Sequence, residues 1–328
     1  MTVFDTVEIA VLVADGFTDS GLAIALDVFR AASAMLKRAA RPGHFRVRVL
    51  SPGGGRVRAA SGLWTESTES FRSGATPHAT LVPGLWAENF DDLDALRRRP
   101  EVQAMVDHLR VCPSVIGASC GGTILLAEAG LLDGLEATTA WWAAPYLRRN
   151  FPRVIVNPEA ALIDQGRILT AGAVFAMADL ALHLVDRWAG PGLARRTANV
   201  LLLDTHASQA RYMALSQLQF DDPLVRGADR WVRAHLSENF PIATLAGELG
   251  TTPRTLARHL QAALGLAPVA FVQKLRVEHA VQLLETTTLS VEEIGARVGY
   301  SNAATLSRLL RRETNLSPLA LRRQGRLP

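Results

Sequence analysis

The sequence predicts two domains of different class. The first is an α/β domain on a mostly parallel sheet with helices on both faces, and the second is an all-α domain with two helix-turn-helix units. Three observations predict this. Apolar runs of strand length alternate with helical stretches through residues 7–187. A matched pair of amphipathic helix–glycine–helix segments fills the last hundred or so residues. Residues 222–328 carry 14 Lys and Arg against 9 Asp and Glu, while the rest of the chain carries 21 against 22. At 328 residues and 48% apolar content the chain is long enough for two cores.

In chain order, residues 7–13 are a continuous apolar run suited to a strand buried on both faces. Residues 22–40 read as a helix and 45–50 as a second strand. Residues 79–82, before Pro83-Gly84, read as a third strand, 114–118 as a fourth and 167–170 as a later one. Strands separated by helices imply parallel pairing, and ligands of such sheets bind at the carboxyl ends of the strands. That places Gly84 at a ligand pocket. Gly190-Pro-Gly192 marks a break, so the first domain is expected over 1–189. A helical linker is expected over 190–221, with residues 193–219 as helix and Ala198, Val200, Leu201, Leu202 and Leu203 as a connecting or dimerising face. Asp221-Asp-Pro223 opens the second domain, 222–328.

One turn in the first domain carries chemistry. Ile116-Gly-Ala-Ser-Cys120-Gly-Gly-Thr-Ile runs strand, sharp turn, helix, with Cys120 at the apex. The amides that follow, beginning at Gly121, can hold an anion or polarise a carbonyl, and a thiol at a helix start is expected to be acidified. A buried small cysteine would satisfy the same residues equally well. The second cysteine, Cys112, lies beyond the other end of the same strand, so a bridge is not expected, and two cysteines fit a reducing compartment. His78, His108 and His183 sit in no catalytic motif and are expected to be structural. No metal-ligand spacing is present, and no cofactor is expected.

In the second domain the first unit spans residues 242–250 and 252–260, and the second spans 291–299 and 302–310. Leu245, Leu249, Leu256 and Leu260 match Ile294, Val298, Leu306 and Leu310 in order, and Gly250 and Gly299 each stop the first helix. Residues 269–284 between them repeat Phe271, Leu275, Ala280 and Leu284 near the helical period, as a helix holding the two units in a set relation would. Positions opposite the buried leucines face a major groove. These are Arg254, Thr255 and Arg258 in the first unit, and Ala304, Thr305, Ser307 and Arg308 in the second. Only Lys37 and Lys274 are lysines, and every other basic residue is arginine, the bidentate partner of guanine and phosphate. A helical bundle without DNA is the plainer alternative, but it does not explain where the charge surplus sits.

These residues carry a family resemblance. Leu275-Arg276, Leu289-Ser-Val-Glu-Glu-Ile294, Val298-Gly-Tyr-Ser301, Leu306-Ser-Arg308 and Asn315-Leu-Ser-Pro318 resemble the AraC/XylS DNA-binding domain. Leu306 and Leu310 stand where aromatics are usual, Asn315 where glycine is usual and Leu321 where tyrosine is usual. Gly117-Ala-Ser-Cys-Gly-Gly-Thr123, Ala127-Glu-Ala-Gly-Leu-Leu-Asp-Gly134 and Arg167-Ile-Leu-Thr-Ala-Gly172 resemble the PfpI-like, class I glutamine amidotransferase-like fold, a flavodoxin-like sheet. The two in this order are the layout of the GlxA family of transcriptional regulators.

The resemblance also shows a departure. Enzymes of the PfpI-like group pair the elbow cysteine with an early acidic residue and with a histidine after Thr-Thr. Those positions fall at Gly21 and Ala140 here, with Asp19 as a nearby substitute for the acid. A thiol without a base or charge partner is poorly equipped for nucleophilic catalysis. No catalytic residue is therefore assigned, and the domain is expected to be a retired enzyme fold sensing a small molecule. The expected lining is Cys120, Gly121, Gly84 and Trp142, with Trp141 as an alternative wall. Aromatic walls suit an amine or amino-acid-derived effector. The expected protein is cytoplasmic and homodimeric, binds double-stranded promoter DNA and makes no membrane contact. The competing readings are a PfpI-like hydratase, deglycase or amidase using Cys120, and a constitutive DNA-binding protein with an inert first domain.

Overall fold

The computed structural model describes residues 5–71, 76–206, 208–209, 212–213, 215, 222–314 and 316–324. The chain divides into two compact units, residues 1–209 and 210–328.

The first unit is built on a seven-stranded sheet of Thr6–Leu12 (β1), His44–Ser51 (β2), Glu69–Ser70 (β3), Ala79–Val82 (β4), Val115–Ser119 (β5), Leu162–Gln165 (β6) and Ile168–Ala171 (β7). Its order is β6-β7-β5-β4-β1-β2-β3. Every pairing is parallel except β6 with β7. Ile9, Ala10, Val11 and Leu12 are all fully buried, although successive side chains of a strand point to opposite faces. Both faces of the sheet are therefore covered.

The covering helices fall into two groups. Asp19–Arg38 (α1), Met177–Ala189 (α6) and Pro191–Val200 (α7) pack on one another. Phe90–Arg97 (α2), Pro100–Val111 (α3) and Gly122–Glu128 (α4) form the second group, while Ala144–Asn150 (α5) follows the short turn at Trp141–Ala143. The expected strands all form, displaced by a residue or so at their ends. The hairpin Gly55–Arg58 with Trp64–Ser67 and the antiparallel edge strand β6 carry no strong apolar run, and sequence patterning did not predict them.

Two expectations between the units require correction. The first unit does not end at 189. α7 contributes Leu193 and Ala198 to its core, and Gln209 is still part of it. Nor does a helix run over 193–219. α7 stops at Val200, where the amide of Leu203 bonds the carbonyl of Ala198 and that of Leu202 bonds Asn199. This is a Schellman stop, with Leu202 in the left-handed conformation at φ 54°. Residues 203–206 are not helical. Ala198, Leu201 and Leu203 pack against the first unit's core, whereas Val200 and Leu202 are exposed. Residues 207, 210–211, 214 and 216–221, on which the rest of that expectation fell, lie outside the described residues.

The described elements of the second unit are all helices. They are Pro223–Ala234 (α8), Ile242–Glu248 (α9), Pro253–Leu264 (α10), Pro268–Thr286 (α11), Val291–Arg297 (α12), Ala303–Thr314 (α13) and Pro318–Gln324 (α14). Phe271, Val272 and Leu275 of α11 belong to one core with Leu245, Leu256 and Leu260. Val277, Ala280 and Leu284 belong to another with Ile294, Val298, Leu306 and Leu310. One continuous helix is thus shared by two small cores, which sets the relation between the repeated units. Asn315 lies outside the described residues.

Candidate ligand pocket and nucleic-acid interface

The elbow forms as its sequence requires. β5 ends at Ser119, Cys120 sits at φ 54°, and α4 begins at Gly122. A left-handed backbone on a non-glycine residue costs about 1–2 kcal/mol and is found where the surroundings hold it. Here the Cys120 amide donates to the carbonyl of Gly172 at 2.7 Å, and the Thr139 hydroxyl donates to the Cys120 carbonyl at 2.7 Å. Glycines let the turn close. A Cβ on Gly122 would fall on the Val82 carbonyl oxygen, and one on Gly84 would lie 3.0 Å from Cys120 Cβ and 3.3 Å from its Sγ. Gly84, Cys120 and Gly121 are therefore brought together at the carboxyl ends of β4 and β5. Trp142 is half-buried against the first unit's core.

The thiol is not acidified. Burial pushes Cys120 up to about 11, and the bond from the Gly121 amide only partly offsets it. The expected lowering at a helix start loses to desolvation, because Cys120 is only 8% exposed. Cys112 behaves in the opposite way. Burial raises it too, but hydrogen bonds from His108, Ser114 and Thr80 outweigh that and bring it to about 6. Both cysteines are free.

The place of the missing acid is crowded. A Cβ on Gly21 would lie 2.8 Å from the Thr18 hydroxyl and 2.9 Å from Pro83 Cβ, so a carboxylate there needs the backbone to move. Ala140 is fully buried. The Asp19 carboxylate is held by Ser61, accepting from its hydroxyl at 2.6 Å and its amide at 3.2 Å. The three histidines have structural partners. His78 accepts from the Glu8 amide, His108 stacks on Phe71 and His183 bonds Asp164. Among the described residues no group of three or more His, Cys, Asp and Glu is placed to hold a metal ion.

One residue that sequence reasoning missed joins this neighbourhood. Gln209 is 5% exposed and lies flat on Gly172, where a Cβ would come 2.6 Å from its Cδ. It falls within the helix expected over 193–219, and nothing in its sequence context marks it.

In the second unit the two helix-turn-helix copies share their helix stops and their buried faces. Gly250 at φ 65° and Gly299 at φ 75° end α9 and α12. Thr252 caps α10 by accepting from the Thr255 amide, and Ser290 with Glu293 forms a reciprocal capping box on α12. On α10, Leu256, Leu260 and Leu264 are buried while Arg254 and Arg258 are exposed and Thr255 is half-exposed. On α13, Leu306, Leu309 and Leu310 are buried while Ala304 and Arg308 are exposed and Thr305 and Ser307 are half-exposed. Arg311 and Arg312 add exposed cationic groups on α13, with Arg312 tied to Glu313.

A family model described as the DJ-1/PfpI family matches residues 7–187. The chain belongs to the DJ-1/PfpI family. A helix-turn-helix domain model matches residues 245–324 of the same chain. This DJ-1/PfpI member is similar to the HTH-type transcriptional regulator GlxA of Rhizobium meliloti, at 28% identity over 326 residues, covering 97% of this chain and 96% of the relative. It is also similar to the HTH-type transcriptional regulator CdhR of Pseudomonas aeruginosa, at 28% identity over 94% of this chain and 89% of the relative. A solved protein from Vibrio parahaemolyticus, described as a transcriptional regulator, shares the fold of 60% of this chain with a TM-score of 0.51 and 18% identity, covering 99% of its own length. Among the described residues no helix is long and apolar enough to cross a membrane.

Proposed function

We propose that this DJ-1/PfpI member is a sequence-specific DNA-binding transcriptional regulator whose first unit holds a small-molecule effector and whose second unit binds promoter DNA. The observation that carries the reading is the conjunction of both units, in order and nearly end to end, in relatives named as HTH-type transcriptional regulators. Two helix-turn-helix copies, each with an exposed arginine face opposite a buried leucine face, support the DNA-binding half. Arg254, Thr255, Arg258, Ala304, Thr305, Ser307 and Arg308 are the residues we assign to the groove. The chain acts on two half-sites as a homodimer in the cytoplasm in this reading.

The first unit is read as a sensor rather than an enzyme. The blocked acid position at Gly21, the buried Ala140 and a thiol held protonated by its surroundings support this. Its effector, an amine or amino-acid-derived compound, would rest on Gly84, Cys120, Gly121 and Trp142. Arg258→Ala and Arg308→Ala should each weaken operator binding by ~1–3 kcal/mol with the fold intact, measured by fluorescence anisotropy at matched salt. Unchanged affinity in both sinks the groove assignment.

The retained elbow, with Cys120 at φ 54°, favours one competing reading, an enzyme with an accessory DNA-binding domain. Dicarbonyls, isocyanides and small amides offered to the purified protein distinguish the two. Turnover at about 1 s⁻¹ or faster that disappears in Cys120→Ser would restore the enzyme.

A further inference from the structure

Gln209 is the last residue of the first unit, and the chain continues from it directly into the second. Its side chain is only 5% exposed, which is unusual for a glutamine in an irregular segment. The amide nitrogen donates to the carbonyls of Thr139 at 2.8 Å and Pro158 at 2.9 Å, and its amide oxygen accepts from the Ala173 amide at 3.2 Å. The Thr138 hydroxyl at 3.2 Å and the Ala160 carbonyl at 3.3 Å complete the ring of acceptors around the nitrogen. Both N–H groups and the oxygen are therefore matched, as a built carboxamide site requires. The backbone is held as well. The Gln209 amide and the Ser208 hydroxyl both donate to the Glu159 carbonyl at 2.8 Å, and Ser208 bridges Ala160 in antiparallel fashion.

The groups of this cradle also hold the elbow. Thr139, which accepts from Gln209 through its carbonyl, donates through its hydroxyl to the Cys120 carbonyl. Gly172, on which the Gln209 side chain lies, accepts the Cys120 amide through its carbonyl, and Ala173 follows it in the chain. A shift of the elbow or of the Thr138-Thr139 strand end by a few tenths of an ångström would misalign the cradle. Displacement of Gln209 would in turn leave the Thr139 carbonyl buried and short of a donor.

We propose that Thr138, Thr139, Pro158, Gly172 and Ala173 form a carboxamide-binding cradle filled by the chain's own Gln209. By holding or releasing that side chain it passes the state of the Cys120 elbow to the segment entering the DNA-binding unit. The proposal rests on the reading of the first unit as a sensor. The cradle takes a primary carboxamide and discriminates against a carboxylate, since its acceptors outnumber its single donor.

The test uses the full chain and two variants that empty the cradle by different routes. Gln209→Ala removes the atoms of one acetamide molecule, and Gly172→Ala pushes the intact glutamine out by occupying its place. Both should speed hydrogen exchange at the Ala173 and Gln209 amides by at least tenfold relative to amides of β1. Both should also shift operator affinity or transcriptional output at least threefold in the same direction, without added effector. Acetamide at tens of millimolar, with acetate as the control, should restore both readouts in Gln209→Ala but not in Gly172→Ala. Faster exchange with unchanged operator affinity and output would reduce Gln209 to a structural plug and overturn the proposal. Unchanged exchange in both variants would do the same. If metabolites screened against the wild type never change its DNA binding while Gln209→Ala does, the sensor reading fails and the latch stands. If an effector acts equally on wild type and Gln209→Ala, the latch fails and the sensor stands.

Discussion

Alkylation kinetics at Cys120 decide whether burial or the helix start governs the elbow thiol, and with it whether this fold has kept its nucleophile. The ordinary value for a cysteine is 9.0, and burial carries Cys120 to about 11. Two pH units mean that, at any pH well below 9, its thiolate is about 100-fold scarcer than that of an unperturbed cysteine. The thiolate is the reacting species. In a Cys112→Ser background, which puts a hydroxyl in place of a thiol 3.0 Å from the Ser114 hydroxyl, iodoacetamide should react with Cys120 at least about 100-fold more slowly than with a free cysteine. The rate should keep rising to a midpoint near pH 11. Restricted access lowers the absolute rate further but does not move that midpoint. A rate within threefold of free cysteine, with a midpoint below 9, would show that the helix start wins and would refute the argument. The same shift has a stability signature. The folded value lies above the unfolded one, so the contribution is complete below pH 9 and lost between pH 9 and 11, by about 3 kcal/mol in all. Cys112 has the reverse sign. Its folded value of about 6 lies below 9.0, so its contribution is complete above pH 9 and lost as pH falls towards 6. Urea unfolding at pH 6.5 and 8.5 should therefore show a smaller difference in Cys112→Ser than in wild type.

The two helix stops of the DNA-binding unit should not tolerate alanine equally. Gly250→Ala meets nothing within 4 Å and should cost only the left-handed strain of about 1–2 kcal/mol. Gly299→Ala adds a Cβ 2.6 Å from the Leu236 carbonyl and should cost clearly more, and equal losses in urea melts would refute this. Two helices end on left-handed non-glycine residues, Ala40 at φ 48° and Leu202 at φ 54°. Leu202→Gly, at a side chain 93% exposed, should raise stability by about 1 kcal/mol, and a loss of stability would show that the side chain has a partner. Restoring the missing partners with Gly21→Glu and Ala140→His should not create Cys120-dependent turnover, because Pro83 and Thr18 occupy the acid's place. Activity in that double variant would show that only those two residues were lost. Sedimentation at micromolar concentration should give a dimer, and a monomer with one chain per operator would remove the half-site reading.

What was legible in the sequence follows from which interactions leave a local trace. β1 and β4 could be read because strands buried on both faces are mostly apolar, and the doubled helix-turn-helix because burial of the same leucine face twice requires the same spacing twice. The elbow could be read from its glycines, since a Cβ on Gly117 or Gly122 would strike its neighbours and one on Gly84 or Gly121 would crowd them. The end of α7 was misjudged because its left-handed stop falls on Leu202, which carries no glycine signal. The state of the Cys120 thiol was misjudged for a related reason. Proximity to a helix start is visible in a sequence, whereas the desolvation that outweighs it comes from Gly84, Leu85 and other chain neighbours packed there by the fold. Gln209 is the extreme case. Every group that holds its carboxamide is backbone or a threonine hydroxyl, and each lies at least 36 residues away in the chain. A site made almost wholly of carbonyls and one amide imposes little on the residue types of its walls and leaves no pattern there to read. Its few demands on composition are the Thr138 hydroxyl, a small residue at Gly172, where the side chain rests, and a glutamine at the one position whose backbone reaches it.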